Sequence, residues 1–158
     1  MKKIALSQGK ESIVDDDWYE VLSQVGWFAA GYQSEYAARN VAGGREFMHR
    51  VIMDAPKDMC VDHINGNPLD NRRENLRLCT HANNMRNNKG WSKNTTSMYK
   101  GVSWDKKRKK WQAKISKNGK TIALGRYSSE QKAALAYNEA AKKHHGEFAR
   151  QNIMGGQT

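Results

Sequence analysis

Apolar residues recur along the chain in short runs broken by polar turns, which predicts many short elements of both kinds. Ile4-Ala5-Leu6 and Ser12-Ile13-Val14 read as two strands turning near Gly9. Asp15, Asp16 and Asp17 supply a cap and first-turn negative charge for a helix through Val25. Trp18, Leu22 and Val25 lie on its core face and Gly26 is its stop. Trp27 to Ala30 and Tyr32 to Val41 predict strands, with Gly43-Gly44 as a hairpin turn, and Glu46 to Met53 continues the chain through Met48-His49-Arg50. Met59 to Ile64 is an apolar run of strand length, ended by the turn dipeptides Asn65-Gly66 and Asn67-Pro68. Leu76 to Cys79 alternates as a half-buried strand, and Thr80 can N-cap a helix through about Asn88.

Residues 88–98 are polar and aperiodic, the pattern of a linker; Trp91 stands alone within it. A second patterned region follows. Lys100 to Trp104 predicts a strand, and Lys106 to Lys110 a basic hairpin loop. Trp111 to Ser116 alternates without a break, Asn118-Gly119 is a strong hairpin turn, and Lys120 to Tyr127 forms a third strand. Ser128 with Gln131 fits a capping box for a helix to about His144, with Gly146 beyond its end. If that helix covers one sheet face, Trp111, Ala113 and Ile115 point toward it. Gln112, Lys114 and Ser116 then form an exposed basic face that strands can present to a DNA major groove.

Charge sharpens the division. Residues 1–90 carry 12 Lys+Arg against 12 Asp+Glu, whereas residues 91–158 carry 15 against 4, so the whole net charge of +11 lies in the second part. One unit is thus expected to bind a polyanion. No apolar run approaches 18 residues, which predicts a soluble chain without a membrane partner, and two cysteines suit a reducing cytoplasm. Cys60 and Cys79 are expected to be small buried hydrophobes.

The candidate chemistry sits in residues 59–89. Asp62 is a hard oxygen donor suited to Mg²⁺ or Mn²⁺, and Asn84, about one turn into the predicted helix, can add a neutral oxygen. His63 can accept a proton near neutral pH. Asn75 could hold its second nitrogen. Asn83 is the alternative to Asn84 as ligand. His81 is expected at the surface and His49 to hydrogen-bond within the fold. For Arg50, a phosphate contact and a structural ion pair both stand.

The run Asp62-His63-Ile64-Asn65-Gly66, followed by Asp70-Asn71-Arg72-Arg73-Glu74-Asn75-Leu76-Arg77, resembles the HNH nuclease motif of phage and intron-encoded homing endonucleases over residues 48–88. The resemblance implies His63 as general base, Asn75 as the residue that orients it, and Asp62 with Asn84 as ligands of one divalent ion. Asparagine in place of histidine at the third motif position favours a hard ion over zinc. It also implies hydrolysis to 5′-phosphate and 3′-hydroxyl ends. Tyr99 to Trp104, Trp111 to Ile115, Leu124 to Tyr127 and Ala133 to Ala141 resemble the Apetala-type (ethylene-response-factor) DNA-binding domain. By position Lys100, Ser103, Lys114, Ser116 and Thr121 would face duplex DNA. Lys106, Lys107, Arg108 and Lys110 of the basic loop, Gln112 and Arg126 complete the expected interface.

The expected architecture is α+β. A small ββα-metal (HNH) nuclease domain with N-terminal support spans residues 1–88 and a linker residues 89–98. A three-stranded antiparallel sheet packed on one helix spans residues 99–152, and a tail residues 153–158. The expected protein is a metal-dependent DNA endonuclease of the homing type, a monomer or weak dimer, cytoplasmic (the host cytoplasm if phage-encoded). The alternative is a non-catalytic DNA-binding regulator derived from such a nuclease.

Overall fold

The computed structural model of the protein describes residues 1–31, 35–87 and 95–154, in two compact units, Met1–Met85 and Arg86–Thr158. The expectations for Tyr32, for most of the linker including Trp91, and for the end of the tail lie outside the described residues.

The first unit begins with a hairpin of β1 (Lys2–Ala5) and β2 (Glu11–Val14), followed by α1 (Asp16–Leu22). A meander of β3 (Phe28–Ala30), β4 (Tyr36–Val41) and β5 (Gly44–Phe47) leads into the short helix α2 (Met48–Ile52). Then β6 (Cys60–His63) pairs antiparallel with β7 (Leu76–Cys79), and α3 (His81–Asn87) follows. The core is one cluster that draws on nearly every element: Ile4, Leu6, Val14, Leu22, Trp27, Ala37, Met48, Ile52, Val61 and Leu76. Burial of these side chains, each contributing about 1.5–3 kcal/mol, joins the N-terminal strands to the β6–β7 pair as one folded body.

Four local expectations change. The first helix ends at Leu22 rather than Val25, because the Trp27 indole N–H donates to the Leu22 carbonyl at 2.8 Å and turns the chain into the core. Asp15 stands at the N-cap position but does not cap; its carboxylate accepts the Arg73 backbone N–H at 2.7 Å instead. The segment after β5 is helical, because Met48 and Ile52, one turn apart, share its buried face. Among the described residues Arg50 forms no ion pair; its guanidinium donates to the carbonyls of Met59, Ala55 and Pro56 at 2.7–3.0 Å and shapes the turn before β6.

The loop between β6 and β7 docks on β2. The Ile13 N–H donates to the Leu69 carbonyl and the Asn71 N–H to the Ile13 carbonyl, both at 2.8 Å, and Ile13 bridges Asp70 in parallel register.

In the second unit β8 (Val102–Asp105), β9 (Lys110–Lys117) and β10 (Lys120–Tyr127) form an antiparallel sheet in the order β10-β9-β8, covered on one face by α4 (Glu130–His145). The alternation in β9 is realised: Ala113 and Ile115 are buried against Ala133, Ala134, Tyr137 and Ala141, while Lys114 and Ser116 are exposed. Ser129, rather than Ser128, caps α4 by accepting the Lys132 N–H. Asn138 and Asn152 exchange two hydrogen bonds at 2.6 and 2.9 Å. Asn152 also bonds both backbone groups of Lys100, tying the C-terminal segment to the start of the sheet. No described helix is long and apolar enough to cross a membrane.

Gly101 is the tightest point of this unit. Its φ is +74°, and a Cβ there would meet the Tyr137 ring at 2.2 Å and the Lys114 carbonyl at 2.6 Å. Gly119 has the same φ with open space around it. Gly101→Ala is therefore expected to destabilise the protein by about 3 kcal/mol or more through overpacking and backbone strain, and Gly119→Ala by only about 1 kcal/mol. Urea unfolding of the two variants checks this; equal losses refute it.

Candidate active site and nucleic-acid interface

β6 ends on the pair that matters most. Alternation along a strand sends Asp62 and His63 to opposite faces, and both are buried (4% and 6% exposed). Asp62 lies opposite Arg77 on β7, and its Oδ2 accepts from the Arg77 Nε and Nη2 at 2.9 and 2.7 Å. A buried carboxylate needs such a partner, since taking the charge from water is otherwise prohibitive.

His63 stands among rings. Its centroid is 5.2 Å from His49, edge-to-face, and 5.9 Å from Tyr36; Phe47 stacks on His49 at 5.6 Å. Its Nε2 lies 3.2 Å from the Asn71 Oδ1, and the Asn71 Nδ2 donates to the Ser12 Oγ at 2.7 Å. Burial pushes the His63 pKa below its ordinary value, opposed by the Asn71 contact and by the charges of Asp62 and Asp70. The ring is thereby kept neutral, the form that can take up a proton.

Asn75 does something other than expected. Its Oδ1 accepts the Asn65 N–H at 3.0 Å, its Nδ2 donates to the Asp70 carbonyl at 2.7 Å, and its carbonyl accepts the Ile64 N–H. It closes the loop across its neck, and the Asn71 amide is the one that reaches the imidazole Nε2. The Asp70 carboxylate, bound by Arg72 and Asn65, has its pKa held below the carboxylate range chiefly by the Arg72 contact.

Asn84 lies half-buried on α3, whose start is fixed by the Thr80 Oγ1 accepting the Asn83 N–H. Cys79 relates it to Asp62. The Cys79 thiol is pushed up to about 11, first by burial and next by the Asp62 charge, and the Asn84 backbone N–H opposes the shift. That relation runs through the Asn84 backbone; a hard divalent ion would need oxygens of the kind the Asp62 carboxylate and the Asn84 amide carry, completed by water and phosphate. Among the described residues no group of three or more His, Cys, Asp or Glu could hold a metal ion. His81 is exposed, as expected. Cys79 is buried, whereas Cys60 is only partly so, and both thiols are free.

The profile of the HNH endonuclease family matches residues 46–86, and that of the AP2 domain matches residues 97–147. An uncharacterized HNH endonuclease of Acanthamoeba polyphaga mimivirus is 33% identical over 149 residues, covering 92% of this chain and 76% of the relative. The chain belongs to the HNH endonuclease family. Protein 3.8 of Escherichia phage T7 is 36% identical over 95 residues, covering 60% of the chain and 77% of that protein. No solved structure matches the chain.

The AP2 unit of this HNH protein presents the expected residues unevenly. Register pairs Ser103 with Gln112, Gln112 with Arg126, and Ser116 with Thr121, with Lys114 between the last two rows. A register shift between Ala123 and Gly125 lets Arg126 share the Gln112 face. These six form one surface on the side away from α4. Lys106, Lys107, Arg108 and Lys110 are exposed beside it. Arg126 and Arg108 both reach Asp105, at 2.9 and 3.4 Å. Lys100 departs from expectation: it is partly buried, its Nζ donates to the Arg86 carbonyl, and desolvation lowers its pKa to about 8. Trp104 packs edge-on against Trp111 at the exposed rim.

Sequence reasoning missed Ser12, Asn71 and Arg77 as parts of the site, and gave His49 a role the structure denies. The His49 Nδ1 is sealed from solvent without a hydrogen-bond partner, and burial lowers its pKa to about 3. A folded pKa below the unfolded value of about 6.5 means that the unfolded chain binds the extra proton between those limits. Stability is therefore full above pH 6.5 and falls as the pH drops. His49→Phe is expected to remove about 1 kcal/mol of the stability lost between pH 7 and 5.5; urea midpoints at both values test it, and an unchanged loss refutes it.

Proposed function

We propose that the protein is a metal-dependent DNA endonuclease of the homing type, which binds duplex DNA through the AP2 unit and hydrolyses a phosphodiester at the HNH unit. The observation that carries this reading is a buried, neutral imidazole, His63, held by a side-chain amide on the strand that also bears the buried carboxylate Asp62. A general base must be both oriented and unprotonated at its working pH, and the Asn71 contact and the burial of His63 support that role.

In this reading Asp62 and Asn84 hold one divalent ion, Mg²⁺ or Mn²⁺. The Asn84 side chain makes no hydrogen bond among the described residues and is available as a ligand, and Arg77 orients the Asp62 carboxylate. When bound, the ion supplies positive charge against the phosphate and the leaving oxygen. His63 removes a proton from the attacking water. Asn75, Asn65 and Asp70 keep the loop closed so that the base does not drift, since a displacement of about 1 Å can cost about 100-fold. The products are a 5′-phosphate and a 3′-hydroxyl. One base per chain supports nicking by a monomer, so that a double-strand break takes two visits or a dimer. The domains are residues 1–88 and 99–152, joined by residues 89–98.

The face of Ser103, Gln112, Lys114, Ser116, Thr121 and Arg126 binds the sugar-phosphate backbone through its cations and reads bases through its shorter polar groups. Serine cannot make the bidentate guanine contact of arginine, so much of the affinity is salt-dependent and indifferent to sequence.

Cleavage of supercoiled plasmid with Mg²⁺ or Mn²⁺ tests the catalytic part. Wild type is expected to give nicked circles, His63→Ala to be at least about 100-fold slower with DNA affinity retained, and EDTA to stop the reaction. A protein that shifts DNA carrying its native genomic neighbourhood yet never cuts it would move the regulator reading to first place. For the interface, Lys114→Ala is expected to weaken binding to unrelated duplexes alike and to reduce the slope of log K against log salt by about 1. An unchanged slope removes Lys114 from the interface.

A further inference from the structure

We propose that Asp105 is a positioning residue for DNA recognition: it holds Arg126 by the Nε and leaves the two Nη groups as a fixed fork that reads a guanine. In β10 the pairing runs in one register from Lys120 opposite Lys117 to Ala123 opposite Lys114. Continued without a break, that register would set Arg126 opposite Trp111, on the face that packs against α4. The shift between Ala123 and Gly125 leaves Leu124 unpaired and sets Arg126 opposite Gln112 instead. Gly125 takes φ +133°, a conformation that other residues rarely adopt, and the Tyr127 hydroxyl donates to the Leu124 carbonyl at 3.0 Å across the bulge. The strand thus carries a local device that aims this side chain at the exposed face.

Asp105 stands on the same face two strands away, at the end of β8. Its own turn sets the carboxylate, because Oδ1 accepts the Arg108 backbone N–H at 3.1 Å. Oδ2 then accepts the Arg126 Nε at 2.9 Å. The Asp105 side chain is 13% exposed and that of Arg126 37%, so the carboxylate lies deeper than the guanidinium it holds. The two Nη groups of Arg126 make no hydrogen bond among the described residues, and the end of the fork is open. Two N–H groups in that planar arrangement match the O6 and N7 acceptors that guanine shows in the major groove. A side chain already held by a carboxylate also has less freedom to lose when it binds. Phosphate is the rival ligand. It would bring a second anion up to Asp105, whereas a guanine edge is neutral and leaves the pair intact. Lys106, Lys107, Lys110 and Lys114 carry no ion pair among the described residues and meet phosphates without that conflict. Arg126 is thereby set apart from the other cations of the interface. This role rests on the reading of that face as the one that binds duplex DNA.

The test uses the full chain in EDTA, so that binding is read without cutting, and a pool of duplexes with a randomised central segment as the probe. Bound DNA is sequenced for wild type, Arg126→Lys and Asp105→Asn. Arg126→Lys keeps the charge and loses the fork. Asp105→Asn keeps an oxygen for the Arg108 N–H, and so the turn, and loses the charge that holds Arg126. Wild type is expected to select a site with a required guanine, favoured about 5- to 150-fold over the other bases at that position. Arg126→Lys is expected to bring that position to parity while the other positions keep their preferences. Asp105→Asn is expected to weaken the same preference by about threefold or more, with affinity for unrelated duplexes undiminished. A merely structural role for Asp105 would instead lower binding at every position alike. In a single selected duplex, 7-deazaguanine at that position removes the N7 acceptor. It is expected to cost wild type about fivefold or more and Arg126→Lys less than about twofold. Should Asp105→Asn fail to fold, Asp105→Glu takes its place, expected to lower the guanine preference alone because the longer side chain moves the carboxylate away from the Nε. A wild-type chain that binds the pool without a guanine dependent on Arg126, or with a guanine preference that the Asp105 variant leaves whole, overturns this inference alone. A chain that binds no duplex overturns the DNA-binding reading of the face and this inference with it.

Discussion

The loop that joins β6 to β7 has almost nothing apolar to hold it, and the site depends on holding it. Between Ile64 and Asn75 only Leu69 and Ile64 itself are hydrophobic, and Ile64 is exposed. Shape must come from hydrogen bonds. Asn65, Asn67 and Asn75 bond back to the loop's own backbone, Asp70 gathers Asn65 and Arg72, and β2 grips Leu69 and Asn71 from outside. Each bond is worth only about 1 kcal/mol net, but an unmade one in this buried setting costs more, so the set is close to all-or-none. That cooperativity lets a loop of polar residues support the His63 imidazole as firmly as a packed strand could.

How much of this was legible in the sequence follows from range. The β6–loop–β7–α3 order, the three-stranded sheet and the long helix were readable, because strand alternation, Asn-Gly turns and small residues at helical spacing are local signals. The identity of Asp62, His63 and Asn84 as candidates followed from residue type and from the resemblance they carry. The partner of His63 did not, because Ser12 and Asn71 meet across 59 residues and neither is distinguished by periodicity. Asn75 was given the wrong neighbour for a related reason: spacing along the chain says which residues share a loop but not which way an amide turns. Asp15 shows the same limit, since a residue with the chemistry of a cap was drawn to Arg73 by tertiary structure. The helix at Met48–Ile52 escaped because five residues carry little helical periodicity.

The second unit divides its labour by strand face. One side of the sheet is closed by α4 with alanines that allow close approach, and Gly101 lets the Tyr137 ring lie directly on the backbone. The other side is free to carry charge because it contributes little to the core. Asp105 tempers that face. Its pKa is lowered first by the contact with Arg126, so it stays ionised and keeps both Arg126 and Arg108 engaged in the free protein. A phosphate that takes Arg126 must compete with an exposed ion pair, which in water is a weak rival.

If Asp62 is a metal ligand, as proposed, its donor set links cutting to binding. Under the proposed reading the protein offers a hard ion a carboxylate and an amide oxygen, and the Asp62 carboxylate already accepts from Arg77 through its Oδ2. Two ligands with a cation beside them make a poor metal site by themselves, because a hard ion gives up its water reluctantly and gains from a full oxygen shell. The missing oxygens are phosphate oxygens of DNA, and by linkage whatever raises the local occupancy of DNA raises that of the ion by the same factor. Under the same reading, DNA held by the strongly basic AP2 unit raises the occupancy of an ion at Asp62 and Asn84, and a donor set of two oxygens keeps that occupancy low without a duplex.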